Sequence, residues 1–168
     1  MGEHTVRIAF FDSGIGGLTV LHQAKKLMPQ EDYLYYADTD HVPYGSKTKE
    51  EIRRYVEEAV DFIAAQDVKA LVVACNTATS VAIQSLRARY SFPILGMEPA
   101  VKPAVKNIAV SKRVLVTATP VTLREQKLHD LLLQVDQNHK TDLLPLPKLV
   151  ELAEQGCFDD GQAANYLR

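Results

Sequence analysis

The chain alternates short apolar runs with stretches long enough to form helices, and this alternation constrains its fold more than any other feature. The apolar runs are continuous, as is typical of strands that are buried on both faces of a sheet. We predict strands over residues 6–11, 33–37, 70–74, 92–95 and 113–117. Strand–helix–strand repetition at this spacing predicts an α/β fold, with a parallel sheet flanked by helices and joined by right-handed crossovers.

The predicted helices lie between and after these runs. In the clearest one, residues 49–65, apolar side chains recur every three or four positions, and Thr48 with Glu51 forms a capping-box pattern. Further helices are predicted over residues 18–27, 78–89, 121–133 and 151–154. Prolines at 145 and 147 interrupt the apolar run 143–150, where we assign no strand. Residues 157–168 are mixed in character, and we expect no final strand there.

The pattern divides near Gly96, where Gly96, Pro99 and Pro103 interrupt the alternation. We predict a first α/β domain at residues 5–96 and a partial second α/β domain at residues 97–168. Because the pattern ends on a helix after so few strands, we expect an incomplete parallel sheet in the second domain.

Composition excludes several classes of protein. The 168 residues are 46% hydrophobic and 24% charged, with a net charge of −2, as in an ordinary globular protein. Basic residues do not cluster, so we expect no nucleic-acid partner. The apolar runs are far shorter than the ~20 residues of a membrane helix, and the first residues do not resemble a signal peptide. We therefore expect a cytoplasmic protein without a membrane segment.

Polar side chains follow most of the predicted strands, at the edge where open parallel sheets bind ligands. They lie in Asp12-Ser13, in residues 38–46 and 75–79, in Glu98-Pro99 and in residues 117–120. The glycine loop after Asp12 is not a dinucleotide fingerprint, because Thr19 occupies the position of the third glycine. A carboxylate, a hydroxyl and backbone N–H groups suit the amino or carboxylate group of a small ligand. An ordinary tight turn is the alternative interpretation.

Cys75 is the strongest candidate for chemistry. It follows a predicted strand and precedes a helix that we expect Asn76 or Thr77 to cap. The partial positive charge at the helix start predicts a lowered thiol pKa, so we favour a functional thiol over a small buried apolar side chain. Cys157 follows no strand and is expected to be structural or exposed. The two cysteines form no disulfide framework.

Histidine spacing predicts no metal site. Of the five histidines, His41 alone lies near the predicted ligand edge, where an ordinary loop histidine is an equal alternative.

Four segments together resemble the glutamate racemases, in the order found in that family, and the likeness covers essentially the whole chain. They are residues 11–18, residues 36–38 with 43–45, residues 74–78 and Glu98-Pro99. The resemblance implies a cofactor-independent amino-acid racemase with two α/β domains and an active site between them. It also implies glutamate as the substrate and the supply of D-glutamate for bacterial peptidoglycan.

The resemblance implies a role for each matching residue. Cys75 corresponds to the first of two catalytic cysteines, which takes the α-proton from the D enantiomer, and Asp12 to the carboxylate that assists it. Substrate-binding positions are implied at Ser13, Pro43, Tyr44, Gly45, Asn76, Thr77 and Thr119, with Thr122 as the alternative to Thr119. Glu154 corresponds to an acidic residue near the second cysteine.

The sequence departs from the family in one respect. The family has its second cysteine in a Gly-Cys-Thr-His segment, which these 168 residues do not contain. We therefore expect a racemase shortened before that cysteine, with a nearly complete first domain that lacks its C-terminal return segment. Because inversion needs a base on each face of the carbon, we expect no useful racemisation by this chain alone. A weaker hypothesis is exchange of the α-proton without inversion.

Two alternatives remain open. An unfinished sheet leaves apolar surface and an unpaired strand edge, which favours a non-enzymatic binding module able to form a homodimer. A related racemase or isomerase that acts on aspartate is the other alternative, although the Asp-Ser-Gly-Ile-Gly-Gly loop disfavours it.

Overall fold

In this computed structural model, residues 6–109, 111–157 and 161–168 are described. The chain divides into two units, Met1–Met97 and Glu98–Arg168. Both units contain parallel strands and helices, and this confirms the predicted α/β class. None of the described helices has the length and apolar character needed to cross a membrane.

The described part of the first unit contains a four-stranded parallel sheet with helices between its strands. Its strands are β1 (Arg7–Asp12), β2 (Tyr33–Ala37), β3 (Val68–Val73) and β4 (Ile94–Gly96), in the spatial order β2-β1-β3-β4. Its helices are α1 (Leu18–Leu27), α2 (Lys49–Ala64) and α3 (Asn76–Arg89). Two short 3₁₀ turns, Thr39–His41 and Tyr44–Ser46, connect β2 to α2.

The core of the first unit forms where the continuous apolar runs predicted it. β1 and β3 occupy the centre of the sheet and bury side chains such as Phe10, Phe11 and Leu71. One face of α2 is also buried, because its apolar residues recur at helical spacing. The capping box predicted from Thr48 and Glu51 is present at the start of α2 and is confirmed.

The second unit packs helices against a two-stranded sheet. Its elements are α4 (Val101–Asn107), β5 (Val114–Ala118), α5 (Pro120–Arg124), α6 (Gln126–Val135), β6 (Thr141–Pro145), α7 (Pro147–Glu154) and α8 (Gln162–Tyr166). β5 pairs in parallel with β6. Val101, Val116, Leu123 and Leu128 form the centre of its apolar core.

Three sequence-based assignments in the second unit were wrong. β6 was missed because Pro145 and Pro147 interrupt the apolar run, but Pro145 stands at the end of the strand, where a missing N–H disrupts the ladder least, and Pro147 lies beyond it. The helix predicted over 121–133 is two helices, because Glu125 adopts an extended conformation with ψ 134°. α4 was missed because it contains Pro103, which lies in the first turn, where the N–H groups have no partner within the helix.

Candidate active site

Cys75 lies at the junction between β3 and α3. Its sulfur accepts a hydrogen bond from the Ala78 N–H at 3.4 Å, which makes Cys75 itself the N-cap of α3. The Ser13 Oγ lies 3.4 Å from the same sulfur. The prediction of a cap at Asn76 or Thr77 was therefore wrong. Cys75 has the extended backbone of a cap residue and turns its thiol onto the helix start.

The charge state of this thiol also differs from the expectation. Burial raises the pKa of Cys75 above its ordinary value of 9.0, and the nearby Asp12 carboxylate raises it further. The hydrogen bonds of the sulfur with Ser13 and Ala78 act in the opposite direction. Because Cys75 is only 7% exposed, loss of water outweighs the favourable helix start, and the resting thiol is held in its protonated form.

Asp12 ends β1 and is fixed by the glycine loop that follows it. Its Oδ1 accepts the Gly14 N–H at 2.8 Å, and the Tyr35 hydroxyl donates to the Gly14 carbonyl at 2.8 Å. A Cβ on Gly17 would lie 2.8 Å from the Cβ of Asp12 and 2.9 Å from the Cβ of Ala74. The loop thus needs a glycine at position 17 so that it can approach the ends of two strands.

The end of β2 contributes a buried carboxylate, Asp38. The Tyr44 hydroxyl donates to its Oδ2 at 2.5 Å, and the His41 Nδ1 lies 2.7 Å from its Oδ1. Burial and the hydrogen bond to Asp38 raise the pKa of Tyr44, so this side chain remains a neutral phenol. Pro43 follows a cis peptide bond and Gly45 lies in the second 3₁₀ turn.

Thr79 anchors the first turns of α3 and was not among the predicted site residues. Its hydroxyl donates to the Val73 carbonyl at 3.1 Å, and a Cβ on Gly96 would lie 2.6 Å from its Cγ2. Thr79 is buried on the face of α3 that meets the sheet. The sequence signal for this contact is a hydroxyl one turn after Cys75 on an apolar face of the helix, where it can donate to a backbone carbonyl.

The structure brings together some of the predicted residues and separates others by unit. Asp12, Ser13 and Cys75 cluster in the first unit, and Asn76 and Thr77 open α3 beside them.

The second unit holds Thr119, Thr122 and Glu154. Thr119 is the N-cap of α5 and accepts the Thr122 N–H at 3.3 Å. Glu154 ends α7, and the half-buried Cys157 follows that helix.

Within the described ranges, the acidic, histidine and cysteine side chains form no group of three or more that could hold a metal ion. The carboxylate, hydroxyl and thiol around Cys75 are groups suited to proton transfer.

Residues 19–165 match the family described as Asp/Glu/Hydantoin racemase. The chain belongs to this family. It is 52% identical over 164 residues to glutamate racemase 2 of Bacillus subtilis (strain 168), covering 97% of this chain and 62% of that protein.

Solved structures of glutamate racemases have the same fold. The chain matches the Campylobacter jejuni enzyme with a TM-score of 0.85 and 32% identity, over 96% of this chain and 65% of that one. It matches the Escherichia coli enzyme, in complex with L-glutamate and the activator UDP-MurNAc-ala, with a TM-score of 0.83 and 31% identity, over 92% of this chain and 59% of that one. The chain spans about 62% of the length of the curated Bacillus relative.

Proposed function

We propose that Cys75, assisted by Asp12, transfers the α-proton of glutamate in a cofactor-independent racemase reaction. The observation that carries the proposal is the setting of the Cys75 sulfur. It lies at the carboxyl end of β3 and the start of α3, within reach of the Ser13 hydroxyl and the Asp12 charge. Membership of the Asp/Glu/Hydantoin racemase family supports the reaction class, and the glutamate racemases that match the chain support the substrate.

The proposed step moves one proton between the α-carbon of the substrate and the Cys75 sulfur. The Cys75 thiolate takes the proton from Cα and becomes a thiol, while the C–H electron pair remains on the α-carbon as a carbanion. In the reverse step the thiol returns a proton to the same face. Inversion needs a second base on the opposite face, so Cys75 accounts for one half of a two-base reaction.

The raised pKa of Cys75 suggests how the substrate takes part in activation. The Asp12 carboxylate opposes the thiolate in the resting site. An α-ammonium group bound beside Asp12 would offset this negative charge and favour the thiolate. Asp12 then binds the substrate amino group and sets the proton affinity of Cys75, so that the thiolate forms when an amino acid is present.

The other matching residues are proposed to bind the substrate or to assist the reaction. The residues proposed to bind substrate are Ser13, Pro43, Tyr44, Gly45, Asn76, Thr77 and Thr119, with Thr122 as the alternative to Thr119. Glu154 is proposed to act on the side of the second base. Hydrogen bonds to the substrate carboxylate stabilise the carbanion in the absence of a cofactor. Cytoplasmic location, a role in peptidoglycan supply and homodimer formation remain predictions.

Deuterium wash-in at the α-carbon tests the proposal. The purified chain is incubated at high concentration in D₂O with D-glutamate, and the mass of the amino acid is followed with time. We expect one deuterium to enter per molecule in the wild-type chain and in Cys157→Ser, and none in Cys75→Ser. Absence of wash-in in the wild-type chain, or equal wash-in in Cys75→Ser, would contradict the proposal.

The same assay separates glutamate from aspartate. We expect wash-in with D-glutamate to exceed wash-in with D-aspartate, whose side chain is one methylene shorter. Faster exchange of aspartate would favour the aspartate-type alternative and would contradict glutamate as the substrate.

A further inference from the structure

Each of the two carboxylate oxygens of Asp38 is within hydrogen-bond distance of a different side chain. The Tyr44 hydroxyl donates to Oδ2 at 2.5 Å, and the His41 Nδ1 lies 2.7 Å from Oδ1. The Asp38 side chain is 8% exposed, and Tyr44 is 2% exposed. Hydrogen bonds to a buried carboxylate are among the stronger ones in proteins, so both contacts restrict the segment that carries His41 and Tyr44.

Backbone and ring contacts extend this cluster to β1 and α2. The Asp38 N–H donates to the Asp12 carbonyl at 3.0 Å, which ties the end of β2 to the end of β1. The His41 ring stacks on Tyr55 of α2, with centroids 3.7 Å apart and an interplanar angle of 15°. The segment 39–46 is therefore held at both of its turns, by Asp38 from the sheet and by Tyr55 from the helix.

Tyr44 links the restrained segment to the region around the Cys75 thiol. The turn Tyr44–Ser46 contacts α3, the helix that Cys75 caps. The charge of a Cys75 thiolate contributes to the raised pKa of Tyr44, which places the two side chains within electrostatic reach of each other. Cys75 itself is buried. A segment held in this position lies beside the helix that begins at the buried Cys75.

We propose that Asp38 is a positioning residue that holds the segment 39–46 against Cys75 through the Tyr44 hydroxyl and the His41 ring. Its proposed effect on thiol access does not depend on the proposed function, whereas its effect on catalysis rests on that function. Asp38 touches neither the substrate nor the sulfur in this role and acts through Tyr44.

The test measures alkylation of Cys75 by iodoacetamide, resolved by site with mass spectrometry. Cys157, in the second unit, is the internal reference for reagent and pH. Asp38→Asn removes the carboxylate charge and leaves one acceptor oxygen in place of two, so it weakens the hydrogen bonds to Tyr44 and His41. Because a hydrogen bond to a charged group is stronger than one to a neutral group, we expect Cys75 to be alkylated about tenfold faster or more in Asp38→Asn.

Asp61→Asn is the matched control. Asp61 also receives a tyrosine hydroxyl, from Tyr90 at 2.5 Å, together with the Arg89 guanidinium, but it lies on α2 and links it to the end of α3. We expect Asp61→Asn to leave the alkylation rate of Cys75 within twofold of wild type. An unchanged rate in Asp38→Asn, or an equal increase in Asp61→Asn, would overturn the proposal.

A pH profile and a double-mutant cycle distinguish positioning from general destabilisation. Burial and the Asp12 charge raise the Cys75 pKa, so freeing the segment in Asp38→Asn should raise the plateau of the alkylation profile and leave its midpoint unchanged or move it to lower pH. Tyr44→Phe should reproduce the increase, and Asp38→Asn should add less than twofold to it, since both remove one interaction. A midpoint shifted to higher pH, or fully additive effects, would count against Asp38 acting through Tyr44.

The deuterium wash-in assay tests the proposed effect of Asp38 on catalysis. We expect Asp38→Asn to raise the KM for D-glutamate more than it lowers kcat, because the displaced segment carries proposed binding positions. A fall in kcat with an unchanged KM would contradict this. Alkylation of Cys75 needs no substrate, so its result tests the positioning role even if the proposed function is wrong. If Asp38 has no positioning role, the wild-type chain should still exchange deuterium with D-glutamate.

Discussion

At the scale of single residues, the main feature of the site is that the Asp12 carboxylate disfavours ionisation of the nearby Cys75 thiol. Asp12 and burial both raise the pKa of Cys75, and the Ser13 and Ala78 hydrogen bonds only partly offset them. A resting thiol protected in this way is poorly reactive until a cation approaches. The arrangement suits a base that becomes active when an amino acid binds.

Asp12→Asn should separate the two roles of this carboxylate. Removing the negative charge lowers the pKa of Cys75, so the pH midpoint of its alkylation by iodoacetamide should move to lower values. The wash-in rate with D-glutamate should fall, by about tenfold or more, because the amino group loses its charged partner. Ser13→Ala is the control, since losing a hydrogen bond that lowers the thiol pKa should move the midpoint upward. A midpoint that rises in Asp12→Asn would contradict this account.

The Cys75 pKa also makes stability depend on pH. Its folded pKa lies above the ordinary value of 9.0, so the unfolded chain releases this proton first. The thiol therefore contributes stability that is fully present below about pH 9 and is lost as the pH rises through the folded pKa. We expect the free energy of unfolding of wild type, relative to Cys75→Ser, to decrease above pH 9 in reducing urea titrations. A difference that does not change between pH 7 and 11 would show that burial of the thiol has no such effect.

At the scale of elements, close approaches at two glycines position α1 and α3 against the sheet. Gly17 lets the start of α1 contact Asp12 and Ala74, and Gly96 lets β4 contact Thr79 on α3. Neither glycine has a positive φ that only glycine adopts readily, so the constraint at both positions is space. The helix starts around the site are therefore positioned by packing against the sheet.

Gly17→Ala tests this packing. Its Cβ would lie within 3.0 Å of Asp12, Ala74 and the Tyr35 hydroxyl, so we expect a loss of about 1–3 kcal/mol in the free energy of unfolding, measured in urea. The wash-in rate should also fall, because Asp12 is displaced. Gly16→Ala is the matched control, as its nearest contact would be Asp12 Oδ1 at an ordinary 4.0 Å. Equal losses in the two variants would argue against the close approach at Gly17.

At the scale of the whole molecule, the sequence predicted the first unit better than the second. Continuous apolar runs define β1 and β3, and the carboxyl ends of these strands carry Asp12 and Cys75 as expected. β6 was missed because its assignment depends on pairing with β5, about 27 residues earlier in the chain, and local proline content argued against it. Pairing between distant segments leaves little local signal.

The candidate site shows the same division between local and tertiary information. Position at a strand end identified Cys75, but the direction of its pKa shift was wrong, because burial depends on packing that the sequence does not display. The sulfur that caps α3 and the two partners of Asp38 were also missed. Each depends on side-chain direction, which the residue pattern alone does not specify.

The central claim is that Cys75 carries the α-proton. The most direct measurement is the rate of deuterium entry at the α-carbon of D-glutamate for two chains that each lack one cysteine. We predict that Cys157→Ser exchanges at the wild-type rate and that Cys75→Ser does not exchange above the protein-free background. Equal rates in the two variants, or exchange in neither, would contradict the claim.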